Sequence, residues 1–276
     1  MNKPPWLNKR IDLSVCHKLK KTLKSLNLHT VCQESLCPNI SECFSKKVAT
    51  FMILGKVCTR ACSFCGVNQG LPLKFDYQEP ARIKQAVRRL ALKQVVITSP
   101  CRDDLPDLGA GAYCKTVKEI LSLKPRPLVE VLIPDFLGRP ELLSQIADSG
   151  AKIIAHNLET TPSLYIKVRK DASYRRSLEV LASLKRQNKN ILTKSGLMLG
   201  LGENNQELLR VFKDLRGVDC DFLTLGQYLM PSLNHHHLKE YVKPAKFSYL
   251  REYALKLGFK GVRSSPYTRS SYLANP

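Results

Sequence analysis

Acidic residues are scarce in this chain: 23 Asp and Glu stand against 44 Lys and Arg in 276 residues, a formal net charge of +21. That surplus suits a polyanion, nucleic acid being the usual one, or a strongly acidic protein, although a basic surface serves plain solubility equally well. Long apolar runs are missing too. None approaches the roughly 20 residues of a membrane span, and residues 1–10 lack the apolar stretch of a secretory signal, so a cytoplasmic protein away from membranes is expected. Low-complexity tracts, internal repeats and long linkers are likewise absent, and with 43% hydrophobic and 24% charged residues the composition is that of a folded domain.

Cysteine, by contrast, is plentiful, with ten in the chain. In a reducing compartment disulfides are rare, and clustered cysteines there point to metal binding. Six of them fall into two groups of three, Cys32, Cys37 and Cys43, then Cys58, Cys62 and Cys65. The other four, at positions 16, 101, 114 and 220, read as scattered core thiols.

Residues 1–30 form a basic lead-in with Val15, Leu19, Leu23 and Leu26 at helical spacing. Residues 31–49 carry the first cysteine group, with a turn at Pro38 and Asn39. Short β-branched runs then recur at residues 50–54, 95–98, 128–133, 153–155, 195–201 and 222–225. Amphipathic segments follow them, with faces such as Ile83, Ala86, Val87 and Leu90, or Leu208, Phe212 and Leu215; the last carries Phe247, Leu250, Ala254 and Leu257 and stops at Gly258. Strands alternating with helices predict βαβ units and a parallel sheet, either an open barrel of six units or a doubly wound sheet. Both architectures gather chemistry at the C-terminal ends of the strands. The polar residues placed there are Asp103, Asp104, Asp135, Asn157, Glu159, Glu203 and Gln227, each of which serves equally well as a cap or loop hydrogen-bonder.

The second cysteine group follows the first strand at once, as Cys-Thr-Arg-Ala-Cys-Ser-Phe-Cys over residues 58–65. Spacings of three and two let three thiolates hold one face of a cubane while the fourth iron keeps no protein ligand. Structural zinc favours two pairs of ligands, which this spacing fits poorly, and a Cys62/Cys65 redox dithiol leaves Cys58 idle. The first group, with spacings of four and five, again offers three thiolates for a cluster short of one ligand.

The C-x3-C-x2-C motif with an aromatic before its last cysteine resembles the radical S-adenosylmethionine superfamily. The resemblance implies a partial (βα)6 TIM-like barrel and a [4Fe–4S] cluster at Cys58, Cys62 and Cys65, whose open iron is chelated by methionine's amino and carboxylate groups. One-electron cleavage of the sulfonium then gives methionine and a 5′-deoxyadenosyl radical. With the C-x4-C-x5-C group upstream, the chain is similar to the lipoyl synthase family over nearly its whole length. The likeness runs from Lys-Pro-Pro-Trp-Leu at 3–7 to Arg-Ser-Ser-Tyr at 269–272, through Cys-Pro-Asn-Ile-Ser-Glu-Cys at 37–43, Arg-Asp-Asp-Leu-Pro-Asp at 102–107, Glu-Val-Leu-Ile-Pro-Asp-Phe at 130–136, His-Asn-Leu-Glu-Thr at 156–160, the glycine-rich stretch 195–203 and Leu-Gly-Gln-Tyr-Leu at 225–229.

This second resemblance implies an auxiliary [4Fe–4S] cluster on Cys32, Cys37, Cys43 and Ser271, with Ser270 as the fallback, and makes that cluster the sulfur source. It implies that two S-adenosylmethionine molecules per product drive sulfur insertion at C6 and C8 of an octanoyl group on a carrier lysine. The implied carriers are the E2 subunits of 2-oxoacid dehydrogenases and the glycine cleavage H protein, with flavodoxin or ferredoxin as electron donor. Asn157, Glu159 and Arg169 are the candidate S-adenosylmethionine contacts, at or just after a strand end. The domain reading is 1–49 for the auxiliary-cluster extension, 50–258 for the barrel and 259–276 for the segment with the serine ligand.

Departures from the family pattern are Leu108 in place of a glycine, Cys101 and Cys114 flanking that loop, and a triple histidine at 235–237 where one is usual. Two rival readings remain at this point. One is a two-cluster methylthiotransferase acting on transfer RNA, which the charge suits but which needs an RNA-binding module that this chain has no residues left to form. The other is a non-catalytic zinc-binding nucleic-acid protein. No nucleic-acid partner is expected on the favoured reading.

Overall fold

The structure is a computed structural model that describes residues 2–9, 12, 16–31, 37 and 39–271. Seven strands make one sheet: β1 (Val48–Met52), β2 (Gln94–Thr98), β3 (Leu128–Leu132), β4 (Ile153–Ala155), β5 (Leu192–Leu199), β6 (Phe222–Gln227) and β7 (Gly261–Ser264). Each pairs in parallel with the next in chain order. Every crossover therefore steps the same way, and right-handed connections with the sheet's own twist curl it into an open half-barrel.

The helices are α1 (Cys16–Ser25), α2 (Ile40–Ser45), α3 (Glu79–Leu90), α4 (Ala110–Leu121), α5 (Pro140–Ala147), α6 (Tyr165–Val168), α7 (Tyr174–Gln187), α8 (Asn205–Gly217) and α9 (Pro244–Lys256). Those that carry the expected apolar faces bury them: Ile83, Ala86, Val87 and Leu90 on α3, and Leu208, Phe212 and Leu215 on α8. Local chemistry sets their ends. Asn204 accepts from the Glu207 amide at 2.8 Å to start α8, and Ala91, at φ +48°, ends α3. With helices on one face and packed side chains on the other, β1 is buried along all five residues.

Two elements go beyond the sequence reading. β7 adds a seventh strand, so the segment expected from residue 259 onward begins inside the sheet. Gly261–Ser264 holds one apolar residue, Val262, too few to register as a strand. Helix α4 also escaped, because its buried face is built of Ala110, Tyr113, Thr116, Val117 and Ile120, a mixture of small, aromatic and polar groups. At the other end of the chain, α1 and α2 pack beside α3 and β1, and Thr30 forms an antiparallel bridge with Phe51.

Candidate iron–sulfur and S-adenosylmethionine site

The chain leaves β1 through Leu54 and Gly55, both left-handed (φ +67° and +91°), a sharp exit that glycine makes cheap at its second step. The loop that follows holds the three thiols. A short parallel pair, Val57–Cys58 with Asn68–Gln69, closes its base. Hydrogen bonds then pin it on three sides. Thr59 and its hydroxyl both donate to the Cys101 carbonyl at 3.1 Å. Ser63 reaches the carbonyls of Lys167 (2.8 Å) and Val168 (3.1 Å) on α6. His236 donates its amide to the Ser63 carbonyl at 2.8 Å, and the His235 ring meets the Cys65 carbonyl at 3.1 Å. The triple histidine thus braces the loop through backbone groups, with His236 also bonded to the Leu201 carbonyl and His237 exposed.

The three sulfurs share one neighbourhood. Burial pushes the Cys65 thiol up to about 11, and Cys62, Cys58 and Glu159 are near enough to add to the rise. Burial raises Cys62 as well, with Arg169, Cys58 and Glu159 within electrostatic reach. Cys58 differs. A hydrogen bond from the Cys101 thiol, aided by the amides of Arg60 (3.4 Å) and Cys101 (3.3 Å), draws it down to about 6 against the cost of burial. Among the described residues no three His, Cys, Asp or Glu side chains close on one point as a single ion requires. Three thiols at spacings of three and two suit a cubane with one open iron better than structural zinc, which takes four ligands in two pairs.

Asn157, Glu159 and Arg169 come together beside these thiols. The Asn157 amide donates to Glu159 Oε1 at 2.9 Å, and Arg169 Nη1 donates to the carbonyls of Asn157 (2.8 Å) and Leu158 (3.1 Å). Arg169 also stacks over the Tyr165 ring at 5.4 Å. Gly196 on β5 makes room for this group, since a Cβ there would stand 2.9 Å from Asn157 Oδ1. Glu159 takes φ +68°, a conformation disfavoured for a side-chain-bearing residue, and is held by bonds to Gly196 and Met198. Two buried atoms of the group, Asn157 Oδ1 and Arg169 Nε, have no protein partner. One bare acceptor and one bare donor next to three thiols match an amino-acid ligand carrying an amino group and a carboxylate.

The remaining polar residues at strand ends have structural work. Arg60, between the first two cysteines, spans Asp103 (2.7 Å) and Asp135 (2.8 Å), and Asp135 takes Arg176 from α7 at 2.7 Å. Asp104 pairs with the buried Arg102, Glu203 accepts the amides of Gly200, Leu201 and Gly202, and Gln227 bonds four backbone groups. Arg60 was not singled out by the sequence reading; its place inside a metal-ligand loop was the available signal.

The upstream thiols are placed in part, since Cys32 lies outside the described residues. Cys37 and Cys43 flank the start of α2, where the Ile40 amide donates to the Cys37 carbonyl (3.2 Å) and the Cys43 amide to the Asn39 carbonyl (2.9 Å). The C-terminal segment crosses to meet them: the Asn39 side chain donates to the Tyr267 carbonyl at 2.6 Å, and the half-buried Arg269 is within electrostatic reach of Cys37. Ser271 follows two residues later, half-buried in a turn.

A half-barrel of parallel strands with three thiols in the loop after its first strand defines a radical S-adenosylmethionine enzyme, and the radical SAM superfamily domain is matched over residues 52–215. Solved structures agree in fold: methylornithine synthase (TM-score 0.57, 16% identity, 89% of this chain and 81% of that one) and Streptococcus suis SuiB bound to S-adenosylmethionine (0.62, 11%, 96% and 64%). The chain belongs to the lipoyl synthase family. It is 54% identical over 272 residues to lipoyl synthase of Geobacter sulfurreducens, covering 99% of this chain and 89% of that protein. It is 48% identical over 275 residues to that of Caldanaerobacter subterraneus subsp. tengcongensis, covering 100% and 96%. Membership brings a [4Fe–4S] cluster and S-adenosylmethionine with it. None of the described helices is long and apolar enough to cross a membrane.

Proposed function

We propose that this enzyme inserts two sulfur atoms, at C6 and C8, into an octanoyl group carried on a lysine of a lipoyl-carrier domain, drawing the sulfur from an auxiliary [4Fe–4S] cluster. The observation that carries this reading is the meeting of Cys37 and Cys43 with the Tyr267–Ser271 segment through Asn39, because a second ligand set is what separates sulfur insertion from radical formation alone. Cys58, Cys62 and Cys65 hold the first cluster; Cys32, Cys37, Cys43 and Ser271 hold the second. When bound, the first cluster and S-adenosylmethionine supply a deoxyadenosyl radical that removes hydrogen from the acyl chain, and the second supplies sulfide.

The chain's own residues bind and orient. Arg169 Nε receives the carboxylate of S-adenosylmethionine and Asn157 Oδ1 accepts from its amino group, with the Glu159 carboxyl held beside that amino group by the Asn157 amide. Arg60 ties the cysteine loop to the ends of β2 and β3, which fixes the thiols relative to that ligand. The N-terminal extension and the segment that follows β7 serve the auxiliary cluster from opposite ends of the barrel segment. A cytoplasmic setting keeps both thiol sets reduced, with flavodoxin or ferredoxin as donor and the E2 subunits or glycine cleavage H protein as carriers.

The test is anaerobic incubation of reconstituted protein with octanoyl-lysyl carrier peptide, reductant and S-adenosylmethionine. The reading expects 5′-deoxyadenosine together with a peptide mass gain of two sulfurs. Deoxyadenosine without the gain contradicts it and leaves only the superfamily chemistry.

A further inference from the structure

We propose that Asn39 is a positioning residue for the auxiliary cluster: it clasps the C-terminal segment so that Ser271 is presented to the site formed by the upstream cysteines. The proposal rests on the auxiliary-cluster reading above and deepens it by naming what holds the fourth ligand in place.

Asn39 is 1% exposed, and both ends of its amide are engaged. Its Nδ2 donates to the Tyr267 carbonyl at 2.6 Å, a contact between residues 228 positions apart, and its Oδ1 accepts from Lys9 Nζ at 2.6 Å. Lys9 in turn bonds Glu42 at 2.9 Å and lies 5.2 Å over the Tyr267 ring. Three separate stretches of chain, at residues 9, 39–42 and 267, are thereby closed into one knot.

The knot sits between the two halves of the ligand set. On one side Asn39 is two residues from Cys37, and its own carbonyl accepts the Cys43 amide. On the other, Tyr267 is four residues before Ser271, with Arg269 between them within electrostatic reach of Cys37. The segment is trapped from its opposite face as well. Ser265 and Gln227 exchange backbone bonds across it with Leu225 (3.2 Å) and Pro266 (3.3 Å). At Gly226 there is no space for a side chain, since a Cβ would stand 2.1 Å from the Thr268 carbonyl oxygen. The segment therefore has one face on β6 and the other on Asn39.

The physical case follows from the ligand. A serine hydroxyl binds iron weakly, so its occupancy depends on being held in place, and groups that orient a metal ligand commonly change metal affinity by about 10- to 100-fold when removed. Loss of the Asn39 amide would also leave the Tyr267 carbonyl without its buried donor. The result is a segment free to lift from α2 while still anchored on β6.

Asn39→Ala and Asn39→Asp test this, the second keeping size and the Lys9 contact while removing the donor. Both are reconstituted anaerobically beside the native protein and assayed for iron, for the reduced-cluster electron paramagnetic resonance signal, and for the rate at which a chelator strips iron. The native protein is expected to hold about eight irons. Both variants are expected to fall toward about four, or to lose the second set of irons about tenfold faster, while keeping the resonance signal that S-adenosylmethionine perturbs and forming 5′-deoxyadenosine. About eight irons stripped at the native rate in both variants overturns the clasp and leaves the auxiliary cluster intact. Loss of both iron sets in both variants also overturns it, as a general folding role. Native protein with about four irons removes the auxiliary cluster itself, and the clasp with it.

Discussion

Arg60 lies between Cys58 and Cys62 with its guanidinium shared by Asp103 and Asp135. Burial alone would raise the Asp135 carboxyl, but the hydrogen bonds and charge of Arg60, joined by Arg176, hold it well below the usual carboxylate range. A depressed folded value contributes stability above the unfolded value near about 4, and that contribution is lost as pH falls through the folded one. Arg60→Met should cost about 3 kcal/mol in denaturant unfolding at pH 7. The native protein's margin over the variant should shrink on acidification below about pH 4; a pH-independent margin contradicts this role for Asp135.

The pair Glu130–Lys194, 2.5 Å apart and buried on β3 and β5, has the opposite character. Burial pushes Glu130 up to about 7 despite the lysine, and burial lowers Lys194 despite the glutamate. Lys194→Met alone should destabilise by about 3 kcal/mol, and adding Glu130→Gln should recover most of it, measured as a double-mutant cycle. At the site itself, Asn157→Ala and Arg169→Lys should each weaken S-adenosylmethionine binding on the order of tenfold in equilibrium dialysis, the loss of one buried hydrogen bond to a charged group.

Much of this was legible at the residue scale where ligands lie close in sequence. That Cys58, Cys62 and Cys65 share one loop was readable because the three thiols lie within eight residues, and the placing of Asn157 and Glu159 beside that loop because a strand end precedes them. Arg60, Asp135 and Asn39 were not readable as partners. Their contacts span 43 residues from Arg60 to Asp103 and 228 from Asn39 to Tyr267, and no local pattern encodes such a pairing.

Among the elements, legibility followed apolar periodicity. Helices α3, α8 and α9 show one continuous face and were placed by it. α4 replaces part of that face with Ala110, Tyr113 and Thr116, and β7 depends on pairing with β6 rather than on its own side chains. Pairing also explains why Gly226 is fixed: β6 must accept the C-terminal turn at backbone distance. Gly226→Ala should keep the sheet, as seen by unaltered circular dichroism, while the turn is displaced. Deoxyadenosine should then form with little sulfur inserted; full sulfur insertion would show that the close approach is dispensable.

For the whole molecule, the charge of +21 is the property that an acidic carrier domain would meet first. Electrostatic steering weakens with salt, so the KM for an acidic octanoylated carrier should rise steadily with ionic strength, and a flat profile would assign the charge no docking role. The arrangement of the chain has a second consequence at this scale. On the proposed ligand sets, the radical cluster draws its thiols from one loop and the auxiliary cluster from both terminal segments, so truncating either segment should abolish sulfur insertion before radical formation.

The central claim is that the auxiliary cluster is the sulfur source. It is tested most directly by reconstituting the protein with ³⁴S-sulfide, removing free sulfide, and running one turnover on octanoyl-lysyl peptide. The account predicts a lipoyl product labelled at both sulfur positions; a product formed with unlabelled sulfur would contradict it.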